Sequence, residues 1–427
     1  MLFVQGNQKI LNSSTAAVLN SRKVRAVTLA ARWLQVTIKL TKQAIEKNLT
    51  IVSSLGMLTY EIVTFIAHRC NSKIIIVLDG YLPGVLSPDV QKAFYDKFSN
   101  MFDLNNTLFI SPFWPELTLP VRRQRLTTRD YWVVALAKYL FVVEAKAEGN
   151  IQKLASESLS QGRKVTVFQP IKFDHNTKGN ETLLLAGAEV QEVTCTQDSL
   201  EGAKLKPDVE KTPLQQPLVE LSEYLFHYTR ACPGPWPGQS LSEYIQSLVS
   251  GELDAKHTAF DTLCRILKEQ LIRASNRLVR VKTPVVSFTA CLPDELGKIR
   301  KWNPALIRWT FEPYAIGIRK GILKEMKAQP VIYASEDKFR QLPESEQFRF
   351  QIHQPPKTDW SLEKEWRVPG DVILSHISAQ DIVIIVSTPQ EAAIIHKEFQ
   401  PGRLNVYSTP LQIAILETVH FSVKACS

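Results

Sequence analysis

From residue 1 to about 194, short uninterrupted apolar runs alternate with longer amphipathic stretches, and this alternation narrows the fold more than any other feature of the chain. The runs fall at 2–4, 50–53, 74–78, 108–110, 140–144 and 165–168. A strand that is apolar at every position is buried on both faces, which is the condition of a parallel sheet covered by helices on each side. Between the runs, 25–47 carries Val27, Ala31, Leu34, Ile38 and Ala44 at helical spacing, and 58–70, 127–138 and 151–161 follow the same period. The first half is therefore expected to be a doubly wound α/β domain.

At 427 residues the chain exceeds one ordinary core, so two domains are expected. The stretch 195–217 is proline-bearing, mixed in charge and without period, and reads as a linker between domains at 1–194 and 218–427. The second region opens with a short run at 224–229, passes through the Pro/Gly-rich CPGPWPGQ, and enters a helical stretch at 259–274. Short strands follow at 285–289, 315–318, 331–334, 366–368 and 382–386, so this region is expected to be a smaller α+β domain.

No apolar run is longer than a strand, and the first ten residues lack the charged and apolar regions of a secretory signal, so no membrane association and a cytoplasmic location are expected. The six cysteines are scattered without a CxxC pair or histidines at ligand spacing, which predicts reduced thiols and no metal. A net charge of +9 favours phosphate-bearing partners without naming one.

Ligands of open α/β sheets bind beyond the carboxyl ends of the strands, where backbone N–H groups and helix dipoles favour anions. Three loops fall at such ends: Ser21 and Arg22 before the first long helix; Ser53, Ser54 and Gly56 after the run at 50–53; and Glu144 to Gly149 after the run at 140–144. Arg129 joins them as a candidate ligand-binding residue. Neither a GxGxxG fingerprint nor a P-loop is present. Each residue also has a plainer reading, as an N-cap serine, a surface arginine or a strand-end carboxylate.

These loops carry a resemblance. Leu2-Phe3-Val4-Gln5-Gly6-Asn7, Asn20-Ser21-Arg22, Ser53-Ser54-Leu55-Gly56, Arg129-Asp130-Tyr131, Val142-Val143-Glu144-Ala145 and Gly162-Arg163-Lys164-Val165 occur in the order of the motifs of the DprA-like (SLOG) family. The resemblance implies a Rossmann-like domain with a ligand site at those loops, taking a nucleotide-derived signal or single-stranded DNA. Two departures stand out. The family's SGxAxGID loop reads SSLGMLTYE, without its second glycine and acidic end, and its RNR reads RDY.

In the second region, Phe226-His227-Tyr228-Thr229, Phe288-Thr289, Tyr314-Ala315-Ile316-Gly317-Ile318 and Glu363-Lys364-Glu365-Trp366-Arg367 resemble, in order, an abortive-infection-type family near the ADP-ribosyltransferases. That likeness implies NAD as a substrate, with His227 on the ribose, Tyr314 on the nicotinamide, and Glu363 or Glu365 stabilising an oxocarbenium-like state. On an extended strand Glu363 and Glu365 would share a face. The plainer reading makes the same segment a solvated edge with Trp366 as a core anchor.

Two functions follow from these readings. One is a bacterial sensor–effector, active in phage defence, whose first domain recognises a nucleotide or single-stranded DNA and whose second is an ADP-ribosyltransferase or NAD glycohydrolase. The other is a non-enzymatic DNA-processing or recombination-mediator protein that binds single strands. Homo-oligomerisation is compatible with both.

Overall fold

A computed structural model of the chain describes residues 2–21, 31–191, 220–252, 255–276, 279–303, 308–355, 359–399 and 405–408. The expected linker at 195–217 and the candidate Arg22 lie outside the described residues.

The chain divides into two compact units. The first comprises Met1–Lys204 together with Pro233–Lys256, and the second comprises Leu205–Cys232 and His257–Ser427. The second region thus differs from the single block expected from 218 onward. Its Pro233–Lys256 segment belongs to the first unit because of its packing. Helix α7 (Leu241–Ser250) places Tyr244, Ile245 and Leu248 in the same core as Ile62, Phe65 and Ile66 of α2 (Leu58–Arg69).

The first unit is built on β1 (Phe3–Gly6), β2 (Thr15–Asn20), β3 (Thr50–Ser54), β4 (Ile74–Val77), β5 (Thr107–Ser111), β6 (Tyr139–Glu144), β7 (Lys164–Phe168) and β8 (Glu189–Gln191). Their order across the sheet is β1-β5-β4-β3-β2-β6-β7-β8. All neighbours pair in parallel except β1, which runs antiparallel to β5 at the edge. Every residue of β2, β3, β4 and β5 is buried, as expected where helices cover both faces. One face is packed by α1 (Arg32–Glu46), α2 and α7. The other is packed by α4 (Arg122–Leu136), α5 (Asn150–Ser160) and α6 (Lys178–Leu185). A further helix, α3 (Pro88–Lys97), lies between β4 and β5 in the chain and buries none of its residues fully.

From β2 the chain winds outward through β3, β4 and β5, then crosses back to β6 on the other side of β2. The topological switch point therefore lies between the carboxyl ends of β2 and β6, where open α/β sheets place their ligands.

The second unit holds a largely antiparallel sheet in the order Gln329–Pro330, Glu365–Pro369, Val285–Thr289, β9 (Tyr224–Tyr228), Ala315–Arg319, Ile382–Val386 and Asn405–Ser408. Side chains alternate between two cores. Leu225, Phe288, Ile316 and Val368 face one side with Leu263 and Leu267 of α8 (Ala259–Glu269). Phe226, Tyr228, Ala315 and Ile385 face the other. Gly317 makes that second core possible, because a Cβ there would sit 2.8 Å from the Phe226 ring and 2.5 Å from Val383 Cγ2.

Candidate functional site

At the switch point, Asn20 ends β2 opposite Glu144 at the end of β6, across a break in register. Ser21 N–H donates to the Glu144 carbonyl at 2.7 Å, and its Oγ accepts the Lys146 N–H at 3.0 Å. The end of β6 is held from behind by Asn180 of α6, whose amide bonds Ala145 N, Val143 O and Phe168 O at 2.6, 2.9 and 2.8 Å. Against this rigid frame one group stands out. Asn20 is fully buried, yet among the described residues neither its Oδ1 nor its Nδ2 has a hydrogen-bond partner. An unsatisfied buried amide costs about 1–3 kcal/mol, a cost that functional sites retain.

Ser53 and Ser54 lie at the same end of the sheet but spend their hydroxyls internally. Ser53 Oγ donates to Tyr60 O at 2.9 Å and Ser54 Oγ to Val77 O at 2.6 Å, and both residues are wholly buried. Gly56 takes the left-handed φ of +80° that turns the chain into α2. Its N–H donates to Glu61 Oε1 at 3.0 Å. The loop therefore keeps an acidic group, at Glu61, where the sequence comparison expected none. Burial pushes the Glu61 carboxyl above the ordinary carboxylate range.

Arg129 is nearly inaccessible at 2 % exposure. It forks onto Asp130 Oδ1 through Nε and Nη2 at 3.1 and 2.8 Å, reaches Leu55 O through Nη1, and lies over the Tyr60 ring. Asp130 also accepts from Tyr60 OH and from Asn150 Nδ2, each at 3.1 Å. Gly149 is the N-cap of α5 immediately before Asn150. So Ser21, Ser53, Ser54, Gly56, Arg129, Glu144 and Gly149 gather at one end of the sheet. Within that group Arg129 is a clamp between α4, α2 and α5, with its donors turned inward.

The exposed cations of this end lie elsewhere. The loop after β5 leads into α4, and there Arg122 and Arg123 are exposed at the start of the helix, with Trp114, Leu117 and Val121 exposed just ahead of them. Lys146, beyond β6, is exposed as well. Starting this helix at 127 by periodicity leaves the RRQR segment in a loop, although its charge run and the nearby tryptophan were there to be read.

The residues singled out in the second unit do not converge. His227 shares the face of Leu225 and packs its ring 5.8 Å from Phe288, with Nδ1 at 2.9 Å from Ser287 O. The carbonyl can only accept, so the proton sits on Nδ1, and burial lowers the imidazole's pKa. Tyr314 lies on the same face and donates to Glu391 Oε1 at 2.8 Å. Burial first, and then that carboxylate, raise its pKa.

Glu365 projects from the opposite face. It alternates with Trp366, which belongs to the His227 side, and pairs across the strands with Thr289, which is in register with Phe226. There it accepts from Ser287 Oγ at 2.7 Å and from Arg367 at 2.9 and 3.1 Å. Arg367, 3 % exposed, sends its remaining donors to Phe348 O, Phe350 O and Gln351 Oε1, each at 2.9 Å. Nor do Glu363 and Glu365 share a strand face as expected. Glu363 ends a 3-10 turn, Lys364 has a left-handed φ of 43°, and the strand begins only at Glu365. Burial, and then Glu365, push the Glu363 carboxyl up to about 7.

Among the described residues no helix is long and apolar enough to cross a membrane, and no group of three or more His, Cys, Asp or Glu could hold a metal.

Sheet order and switch point define the first unit as a doubly wound, Rossmann-like domain whose switch point falls between β2 and β6. Residues 1–204 match the family model of DNA recombination-mediator protein A. Among solved structures, DNA processing protein A from Streptococcus pneumoniae is 23 % identical over 44 % of this chain and 62 % of its own, with a TM-score of 0.35. The Helicobacter pylori protein, described for its single-stranded DNA binding mode, is 18 % identical over 44 % of this chain and 80 % of its own, with a TM-score of 0.34. The molybdenum cofactor carrier protein of Chlamydomonas reinhardtii is 14 % identical over 42 % and 91 %, with a TM-score of 0.28. No curated protein matches the chain.

Proposed function

We propose that the first unit binds single-stranded DNA across the carboxyl ends of its sheet and that the protein acts in DNA processing as a recombination mediator. The observation carrying this reading is the exposed pair Arg122 and Arg123, which follow the exposed Trp114 in the segment from β5 to α4, at the end of the sheet that also holds Asn20, without a hydrogen-bond partner among the described residues. Cations that neutralise phosphates beside an aromatic face on which a base can stack are the two parts a sequence-tolerant single-strand site needs. The family match over 1–204 supports the same reading.

For the second unit we propose a role in partner contacts rather than in NAD cleavage, since His227 and Glu365 stand on opposite faces of one sheet and Glu365 is engaged by Arg367.

Binding of a fluorescent oligo-dT across a salt series tests the first proposal. The logarithm of affinity should fall linearly with the logarithm of salt, with a slope of about −0.7 per phosphate neutralised. Replacing Arg122 and Arg123 by alanine should flatten that slope by about 1.4. A slope unchanged by the double replacement would remove the arginines from the site. Nicotinamide release from NAD by the same preparation would overturn the role given to the second unit.

A further inference from the structure

A cavity of about 500 Å³ opens in the first unit at the start of α2. Its walls come from Met57, Leu58, Leu241 and Tyr244 and from the prolines of the Pro233–Pro235 turn, which the chain supplies on its return from the second unit. Pockets for small molecules run to about 300–1,000 Å³ and combine apolar walls with a few fixed polar groups.

The polar group here is Glu61, 8 % exposed. Its Oε1 accepts the Gly56 N–H at 3.0 Å, and among the described residues its Oε2 has no hydrogen-bond partner. Each carboxylate oxygen can accept two hydrogen bonds, so Glu61 still presents two acceptors side by side. Of the other charged residues lining the cavity, Asp96 is paired with Lys92 at 2.7 Å, and Lys97 has its ammonium over the Phe98 ring.

We infer that this cavity is a guanine pocket in which Glu61 takes the base by its N1–H and 2-amino group. Two parallel acceptors fit two parallel donors, and guanine is the common base with that edge. Adenine and cytosine set an amine beside a ring-nitrogen acceptor, which would face the second carboxylate oxygen. Thymine flanks its single N–H with two carbonyls. A phosphate is repelled by the same carboxylate, so the sugar and phosphates point out of the cavity. Proline, leucine and methionine side chains offer flat apolar surface to the base. The cavity lies at the end of the sheet that carries Arg122, Arg123 and Asn20. Within the proposed function, a bound strand would therefore drop one guanine into it.

The test uses the full-length protein with guanosine, inosine, which lacks the 2-amino group, and adenosine, each measured by calorimetry and by the shift in melting temperature. Guanosine should bind about tenfold or more tighter than either of the others, the scale of one hydrogen bond to a charged group. Glu61→Gln, which keeps the acceptor for Gly56, and Leu241→Trp, which fills the cavity without touching Glu61, should each erase that preference. Equal affinity for the three nucleosides, or a preference surviving in both variants, overturns the assignment. An oligo-dT carrying one central guanine separates this inference from the reading it rests on. Salt-dependent binding with no gain from the guanine defeats the pocket and leaves the strand site standing. Guanosine binding without any oligonucleotide binding does the reverse.

Discussion

Residues far apart in sequence meet in the first unit and miss one another in the second, and the reason is the kind of sheet each is built on. In a parallel sheet every strand ends at the same edge, so residues that follow strands are brought together by topology alone; Ser21, Gly56, Arg129, Glu144 and Gly149 gather this way. In an antiparallel sheet the face of each residue counts as well, and it is set by parity. His227 and Glu365 stand on strands separated only by Val285–Thr289, yet project to opposite sides. A list of motifs in the right order is strong evidence for a site in the first case and weak evidence in the second.

The sharpest way to break this comparison is at Arg367. If its contacts are structural, Arg367→Met leaves Glu365 with a largely unpaired carboxylate and should destabilise the second unit by about 3–5 kcal/mol in denaturant unfolding. Replacing Glu365 by leucine in the same chain should recover most of that loss. A catalytic Glu365 predicts instead that the single changes spare stability.

Glu363 sharpens the same point through pH. The folded unit keeps this carboxyl protonated up to about 7, whereas its ordinary value is 4.5. Between those values the folded state binds more proton than the unfolded chain, so stability should fall as pH rises through the window. The loss is at most roughly 3 kcal/mol, and Glu363→Gln should flatten it. Unfolding at pH 5 and pH 8 measures both curves.

In the first unit the expected effect changes sign. Asn20→Leu removes a buried amide that bonds none of the described residues, and should raise stability by about 1–3 kcal/mol while weakening oligonucleotide binding. A gain in stability with no loss of binding would take Asn20 out of the site. The smallest effect on stability is expected at Arg122 and Arg123, where alanine should shift unfolding by no more than about 0.5 kcal/mol. Arg129→Ala, by contrast, abandons Asp130 in a buried clamp and should destabilise the unit several times more.

How much of this was legible in the sequence depends on how far side-chain period reaches. The short, mostly apolar runs at β3 to β7 announced the sheet, because burial on both faces leaves room for few charged positions and for polar ones only where a small hydroxyl can bond within the fold. The strand β2, at the centre of the sheet, was missed. Its Thr-Ala-Ala-Val-Leu-Asn is poor in the large β-branched residues that mark a strand, and Ala16 and Ala17, both fully buried, instead let helices approach each face. Glu61 closes the SSLGMLTYE segment, but nothing in the sequence says that it serves the loop, since only the left-handed turn at Gly56 aims the backbone N–H at it. Arg129 reads as a surface charge in sequence, since nothing local tells of Asp130, Leu55 O and Tyr60 closing around it. The Glu363–Glu365 pair failed for a local reason, as the period of two holds only within a strand and Lys364 interrupts it.

The return of Pro233–Lys256 to the first unit also sets an order of events during synthesis. When residue 204 has been made, the sheet of the first unit is complete, but the side of α2 that takes Tyr244, Ile245 and Leu248 has no cover. At about 5–20 residues per second, the ribosome needs roughly 3–10 s more to reach residue 256. Meanwhile β9 of the second unit has already been made. The nascent protein therefore carries a half-closed first unit while the second is beginning. For those seconds the cavity at α2 lacks its proline wall, so the pocket becomes available only after the chain has committed itself to building both halves.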